Sequence, residues 1–228
     1  MFKMTMRQAT IILTVLLLLT SCDFKSSQDY FNEAEKLSEQ GKYKEAIELL
    51  NKAIDIDNNY IGAYINRGAD KSALGDFKGA IEDYNSVLKI DHDNTLALFN
   101  IGNNNKRLND FKTAIENYNK AFDSKGGQQV YLDLTPNDFV DSNEFDVPGC
   151  QIHYERGIAY YNIDSLQKAV NDFSASINMN YMTAECHCWL GYIYISSGQT
   201  DVACKNFRRS MELGDKDAEV ELSKYCKE

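Results

Sequence analysis

Small and aromatic residues occupy fixed places along most of the chain, and the arrangement repeats every 34 residues. Residues 41–48 carry a Gly, an aromatic residue, an Ala, an Ile and a Glu, and residues 75–82 and 109–116 repeat this pattern with Asn at the Gly position of the third copy. The two prolines of the 228-residue chain, Pro136 and Pro148, lie close together. Long proline-free stretches rich in Ala, Leu, Lys and Glu predict a largely helical protein.

The full pattern is clearest in the first copy, which supplies Tyr30, Ala34, Leu37, Gly41, Tyr43, Ala46, Leu50 and Ala53. It resembles the tetratricopeptide repeat, a pair of helices of 34 residues. The same pattern places five copies at residues 27–60, 61–94, 95–128, 150–183 and 184–217. The resemblance implies an all-α, right-handed α-solenoid of five helix pairs, and the amphipathic residues 218–228 are predicted to form a capping helix.

The spacing of these residues has a physical reason. A Gly or Ala at repeat positions 8 and 20 is expected to let the two helices of a pair approach closely. Gly or Asn at position 15 suits the left-handed turn that ends the first helix. One pair cannot bury its aromatic and Leu residues alone, so neighbouring pairs must stack.

The first 21 residues are predicted to be a signal peptide. Lys3 and Arg7 precede an apolar run over residues 11–19, about half the length of roughly 20 residues that a membrane-spanning helix needs. The run ends in Leu, Thr, Ser and Cys22, which resembles a bacterial lipobox. The resemblance implies that Cys22 becomes the lipid-bearing, palmitoylated N-terminus and that residues 22–26 form a short tether. An ordinary signal peptide followed by an unmodified Cys is the alternative.

Charge limits the classes of partner. The chain has a net charge of −10 and a sequence pI near 4.8. Loss of the signal peptide, with two positive charges and no negative one, takes the charge to −12. Nucleic-acid binding is not expected, because phosphate recognition needs clustered Lys and Arg. The expected location is the bacterial cell envelope, held by a lipid anchor, with the inner or the outer membrane undecided.

An insertion over residues 129–149 interrupts the repeat between the third and fourth copies. It contains both prolines and the acidic residues Asp133, Asp138, Asp141, Glu144 and Asp146. Thr135 and Pro136 suit the start of a short helix over residues 136–140. Either a surface excursion or a segment that contacts a partner fits this composition, whereas a calcium loop does not, because the spacing of an EF-hand is absent.

Five cysteines follow Cys22, and export would place them where disulfides persist. Cys204 is expected on the last repeat helix and Cys226 on the capping helix that packs against it, which makes them the disulfide candidate; two buried thiols are the alternative. Cys186 and Cys188 flank His187, but residues i and i+2 of a helix point about 200° apart and do not suit one metal ion. We expect no metal site and no cofactor.

Motifs of catalysis are absent from the sequence. His92 falls at a turn and His153 and His187 at packing positions, and no phosphate loop, nucleophile elbow or paired-His zinc motif occurs. The protein is therefore expected not to be an enzyme.

The resemblance also implies a concave groove lined by the first helix of each pair. The residues that it assigns to a partner-binding groove are Asn66, Asn100, Asn103, Lys106, Arg107, Tyr154, Tyr161, Trp189 and Tyr192. Lys106 and Arg107 are adjacent cations in an acidic protein, and the four aromatic residues are of the types enriched in interface hot spots. Solvated surface for the cations and packing between repeats for the aromatic residues are the alternatives.

These features predict a membrane-anchored lipoprotein that binds a protein or peptide ligand in the groove and acts as a scaffold or adaptor in the cell envelope. Asn side chains can bond a peptide backbone while aromatic pockets select side chains. A glycan-binding surface lipoprotein is the alternative, because Trp and Tyr rings also stack on pyranose faces.

Overall fold

The computed structural model describes residues 25–124 and 145–226, which form eleven α-helices and contain no strand. The predicted signal peptide, Cys22, residues 129–144 of the insertion and its predicted short helix lie outside the described residues. None of the described helices combines the length and apolar character needed to cross a membrane. The helices are α1 Ser27–Glu39, α2 Tyr43–Ile56, α3 Ile61–Ala73, α4 Phe77–Ile90, α5 Thr95–Arg107, α6 Phe111–Asp123, α7 Gly149–Asn162, α8 Leu166–Asn178, α9 Thr183–Ser196, α10 Thr200–Glu212 and α11 Asp217–Tyr225.

The odd-numbered helices α1 to α9 begin at, or one residue before, the predicted repeat starts. Each is followed by a turn with one residue of positive φ at repeat position 15. Gly41, Gly75 and Gly198 hold that place in three repeats, while Asn109 (φ 62°) and Asp164 (φ 58°) hold it in the other two. Asn and Asp tolerate the left-handed region because their short side chains bond locally, so these turns close without glycine.

The chain divides into two compact units between Ala63 and Tyr64. In the first unit α1 packs against α2 through fully buried side chains. The Ser27 hydroxyl donates to the Ala53 carbonyl at 2.8 Å. The rings of Phe31 and Tyr60 lie 5.0 Å apart. The buried residues of α1 and α2 are Ala34, Ala46, Leu50, Ala53 and Ile54.

In the second unit an aromatic ring on the second helix of each pair lies directly over a glycine of the first. A Cβ added to Gly102 would stand 2.5 Å from Cε1 of Tyr118, and one added to Gly191 would stand 2.4 Å from Cε1 of Phe207. Gly68 faces Tyr84 and Gly157 faces Phe173 in the same way. Position 8 is therefore small because it receives the ring at position 24. Position 8 was expected to be small so that the helices could approach at positions 8 and 20, and its contact with the ring at position 24 was not predicted.

The last residues of the insertion return to the helices of the second unit. The Phe145 carbonyl accepts a hydrogen bond from the Leu96 backbone N–H at 2.9 Å. Val147 is buried in an apolar cluster with Leu98 and Ile152. The end of the insertion thus contributes to the core around α5 and α7.

Helix α11 covers the end of the second unit. It buries Ala218, and the Tyr225 ring stacks on Phe207 with centroids 6.2 Å apart. Cys204 of α10 and Cys226 form a disulfide with their Cα atoms 5.7 Å apart, and this is the pair singled out above. Cys150, Cys186 and Cys188 are free thiols.

Candidate functional site

A polar depression of about 310 Å³ opens in the second unit where α3, α4, α5 and α7 meet. Helix α5 supplies most of its wall. The residues that line it are Ala69, Ser72, Tyr84, Asn100, Asn103, Asn104, Lys106, Arg107 and Glu155. The wall is rich in amide, hydroxyl and charged groups, so it is suited to hydrogen bonding.

Three consecutive asparagines, residues 103–105, lie inside α5, where asparagine is disfavoured because its side chain competes for backbone hydrogen bonds. Two of them bond back to their own helix. Nδ2 of Asn104 donates to the Asn100 carbonyl at 2.8 Å, and Nδ2 of Asn105 donates to the Ile101 carbonyl at 2.9 Å. These bonds hold both side chains against α5. Asn104 lies in the wall of the depression, whereas Asn105 lies outside its lining.

Asn103 is held from the neighbouring helix. The Tyr118 hydroxyl donates to Oδ1 of Asn103 at 2.8 Å. Burial raises the pKa of Tyr118 far above its ordinary value, and the charge of Glu155 acts in the same direction. The hydroxyl therefore keeps its proton at neutral pH and remains a donor to Asn103.

One acceptor in the depression has no partner. Asn104 is 2% exposed, and its Oδ1 has no hydrogen-bond partner within residues 25–124 and 145–226. A buried acceptor without a donor costs roughly 1–3 kcal/mol. A ligand with an N–H or O–H group supplies this donor only when the Asn104 side chain turns toward the depression, because Oδ1 itself is enclosed.

The two cations of the depression differ in their surroundings. Lys106 forms an ion pair with Glu155 of α7, and about one-fifth of each side chain is exposed. Arg107 is exposed, with no partner for its guanidinium among the residues that the structure describes. The alternative left open for these cations, solvated surface, does not describe Lys106, which is paired, whereas the Arg107 side chain is exposed to solvent.

Comparisons with known proteins agree with the repeat pattern. A family model described as "TPR repeat" matches residues 35–69, and one described as "Tetratricopeptide repeat" matches residues 96–126 and 184–217. These three segments are therefore recognised as tetratricopeptide repeats. The all-α repeat fold predicted from the sequence is thereby confirmed.

Solved structures of similar fold include MamA from Desulfovibrio magneticus RS-1, with a TM-score of 0.69 and 18% identity over 82% of this chain and 94% of that one. Another is YrrB, described as "a TPR protein with an unusual peptide-binding site", with a TM-score of 0.65 and 18% identity over 86% of this chain and 91% of that one. PilF of Pseudomonas aeruginosa matches with a TM-score of 0.65 and 14% identity over 83% and 77% of the two chains. At such identities the likeness shows the fold alone. No curated protein matches the sequence.

The predicted groove residues on α3 and α5 do not all lie in the depression. Asn100, Asn103, Lys106 and Arg107 of the third tetratricopeptide pair share the depression, whereas Asn66 of α3 is half-buried outside its lining. Asn104 and Tyr84 line the depression and were not predicted as site residues. The run of three asparagines inside a helix could have marked Asn104 as a site residue, because the repeat pattern does not require asparagine there.

The four predicted aromatic residues pack against one another and against the core. The Trp189 ring lies parallel to Phe173 at 6.1 Å, and the rings of Tyr161 and Tyr192 meet it edge-on at 5.2 and 6.0 Å. Burial raises the pKa of Tyr154 to about 12. Of the two interpretations left open for Trp189, packing between tetratricopeptide pairs is the one that this geometry supports.

Metal ligands do not converge in the described part of the chain, where no group of three or more His, Cys, Asp or Glu residues could hold an ion. Cys186 and Cys188 are both buried. Nδ1 of His187 lies 2.9 Å from Oδ1 of Asn206, so this histidine bonds an amide on α10.

Proposed function

We propose that this protein is a non-catalytic scaffold that binds an extended peptide segment of another protein in the polar depression of its third tetratricopeptide pair. The observation that carries the proposal is the set of Asn100, Asn103, Asn104 and Arg107 around one cavity. An extended peptide exposes unpaired backbone N–H and C=O groups, and asparagine amides offer both a donor and an acceptor to them.

The chemistry of the depression also indicates the character of the peptide. The Lys106–Glu155 pair is locally neutral, whereas Arg107 presents donors that suit a carboxylate. Oδ1 of Asn104 has no partner among the described residues and can accept a hydrogen bond from an N–H group. A segment with an acidic side chain beside a polar one fits this arrangement. YrrB, described as a TPR protein with an unusual peptide-binding site, shares the fold and adds support to a peptide as the ligand class.

Photo-crosslinking in intact cells tests the binding. A photoreactive phenylalanine analogue replaces Ser72, which lines the depression, or Lys112, which is exposed on α6 outside it. We expect one protein to be captured from position 72 and not from position 112. Arg107→Glu should abolish that capture and Lys112→Glu should preserve it. Capture of the same proteins from both positions contradicts the proposal.

The second part of the proposal is a lipid anchor at Cys22 that holds the repeats at a membrane of the bacterial envelope. Its support is the sequence alone: Lys3 and Arg7, the apolar run over residues 11–19 and the lipobox-like residues before Cys22. Several acyl chains, at about 0.8 kcal/mol per buried CH₂, give a stable anchor.

Metabolic labelling with an alkyne fatty acid tests this anchor. The wild-type protein should take up the label and sediment with membranes, and Cys22→Ser should do neither. Cys150→Ser, which removes a free thiol elsewhere, is the matched control. Label that persists in Cys22→Ser refutes the anchor without affecting the peptide-binding proposal.

A further inference from the structure

The disulfide between Cys204 and Cys226 lies in the wall of a second cavity, of about 370 Å³, formed by α10 and the end of α11. Both cysteines are half-buried, so the bond is neither enclosed in the core nor fully in solvent. A small molecule that enters the cavity therefore reaches the disulfide. This cavity is separate from the polar depression, and what is inferred from it does not depend on the proposed peptide binding.

The cavity has a net positive lining in an acidic protein. Lys205 and Arg208 both line it and both are exposed. Among the lining residues that the structure describes, Asp201 is the opposing charge, which leaves an excess of one positive charge. Cations that line a concave site raise the local concentration of small anions.

The two cysteines differ in the helices that carry them. Cys204 shares α10 with Lys205 and, one helical turn later, with Arg208. Nearby cations stabilise a thiolate, and a thiol of lower pKa leaves faster in exchange. Cys226 follows the last turn of α11 and is expected to be the sulfur that is attacked.

We propose that this cavity is a thiol-exchange site at which an anionic low-molecular-weight thiol opens the Cys204–Cys226 disulfide. The incoming thiolate forms an S–S bond with Sγ of Cys226, the Cys204–Cys226 bond breaks, and its electron pair leaves on Sγ of Cys204 as a thiolate. The thiol is the only co-reactant, and a mixed disulfide on Cys226 is the product.

The exchange releases the covalent tie of the capping helix. Helix α11 has nine residues and only Ala218 fully buried, and it also rests on the stack of Tyr225 on Phe207. A thiol adduct on Cys226 therefore weakens the attachment of this helix to α10. The site couples the thiol content of the surroundings to the stability of the end of the repeat array.

Exchange rates with three thiols test the proposal on the purified protein. Glutathione is anionic, 2-mercaptoethanol is uncharged and cysteamine is cationic, and each is supplied at the same thiolate concentration. Adducts are trapped by alkylation and mapped by peptide mass spectrometry. We expect glutathione to react about fivefold faster than cysteamine, with the adduct on Cys226. The preference should shrink as salt is added.

Two neighbouring arginines provide the matched variants. Arg208→Glu should remove or reverse the preference for glutathione. Arg209→Glu makes the same change of charge one residue away, at an exposed side chain outside the cavity lining, and should keep the preference. Equal rates for all three thiols, equal loss of preference in both variants, or an adduct confined to Cys204 overturns the proposal. Circular dichroism checks that both variants are folded.

Discussion

Arg156 of α7 holds Asp172 of α8 through two parallel hydrogen bonds, one from Nε to Oδ2 at 2.8 Å and one from Nη2 to Oδ1 at 2.7 Å. Arg67 and Asp83 make the same pair of bonds at 3.0 and 2.6 Å, also sixteen residues apart. Both carboxylates are buried, so each helix pair that carries these two bonds has an ionic link between its two helices. Nδ1 of His153 also lies 2.7 Å from Oδ1 of Asp172.

The first prediction concerns this link. Arg156→Met leaves the buried Asp172 carboxylate without its main partner, and we expect the free energy of unfolding to fall by about 3 kcal/mol. Urea unfolding measures the loss. The double variant Arg156→Met/Asp172→Leu removes both charges and should recover most of it. If the double variant loses the sum of two large single effects, the ionic link is not the source of the stabilisation.

The same pair predicts a dependence on pH. Burial raises the pKa of Asp172, but the hydrogen bonds from Arg156 and His153 outweigh burial and hold this pKa below its ordinary value. A depressed folded-state pKa gives stability that is present above the unfolded-state pKa and lost as pH falls through the folded-state value. The difference in unfolding free energy between wild type and Arg156→Met should therefore shrink below about pH 4. Urea unfolding over a pH series checks this, and a constant difference contradicts it.

The glycine beneath each ring provides the next prediction. Gly102→Ala places a Cβ 2.5 Å from Cε1 of Tyr118, and overpacking of this kind costs about 1–3 kcal/mol. Because the Tyr118 hydroxyl holds Asn103, the substitution should also disturb the polar depression. Gly62→Ala is the control, since its nearest atom, Cε2 of Tyr60, is at 3.3 Å. Thermal unfolding should separate the two variants, and equal melting temperatures would rule out the ring contact as the reason for the glycine.

The helix pairs could be predicted because their signal is local and repeated. The glycine or asparagine that ends a first helix and the small residue beneath a ring recur at fixed spacing, so each copy supports the others. Even the substitution of Gly by Asn109 fits, because asparagine also adopts positive φ. Which side chain of the second helix lies over this small residue was harder to predict, because the repeat spacing does not say which position of that helix it contacts.

The candidate site was only partly predictable. The pairing of Lys106 with Glu155 joins residues 49 apart, across an insertion whose length the repeat period does not set. The Arg156–Asp172 link was missed because the repeat pattern describes apolar and small positions and is silent on charged ones. Trp189 is of a residue type that is enriched in binding hot spots. Its packing against Phe173, Tyr161 and Tyr192, which lie on three different helices, could not be predicted from the residue type.

The disulfide leads to a fourth prediction. Cys226→Ser opens a loop of 22 residues, and the chain-entropy model gives a loss of about 3 kcal/mol. Urea unfolding of the wild type with a reductant should show the same loss, and the variant should not respond to the reductant. Cys150→Ser, at a free thiol, should behave as the wild type does. Free thiols at both Cys204 and Cys226 in non-reduced peptide maps would remove the basis of this prediction.

The last prediction separates stability from binding at the unpartnered amide. Asn104→Leu removes a buried acceptor that lacks a donor and places a better helix former inside α5, so we expect the free energy of unfolding to rise by about 1 kcal/mol. If Oδ1 of Asn104 accepts from a bound peptide, the same variant should lose most of the partner captured from position 72. Asn105→Leu, at the adjacent residue outside the depression lining, should leave that capture unchanged. A stabilised Asn104→Leu that captures its partner as well as the wild type does would show that the amide has no part in binding.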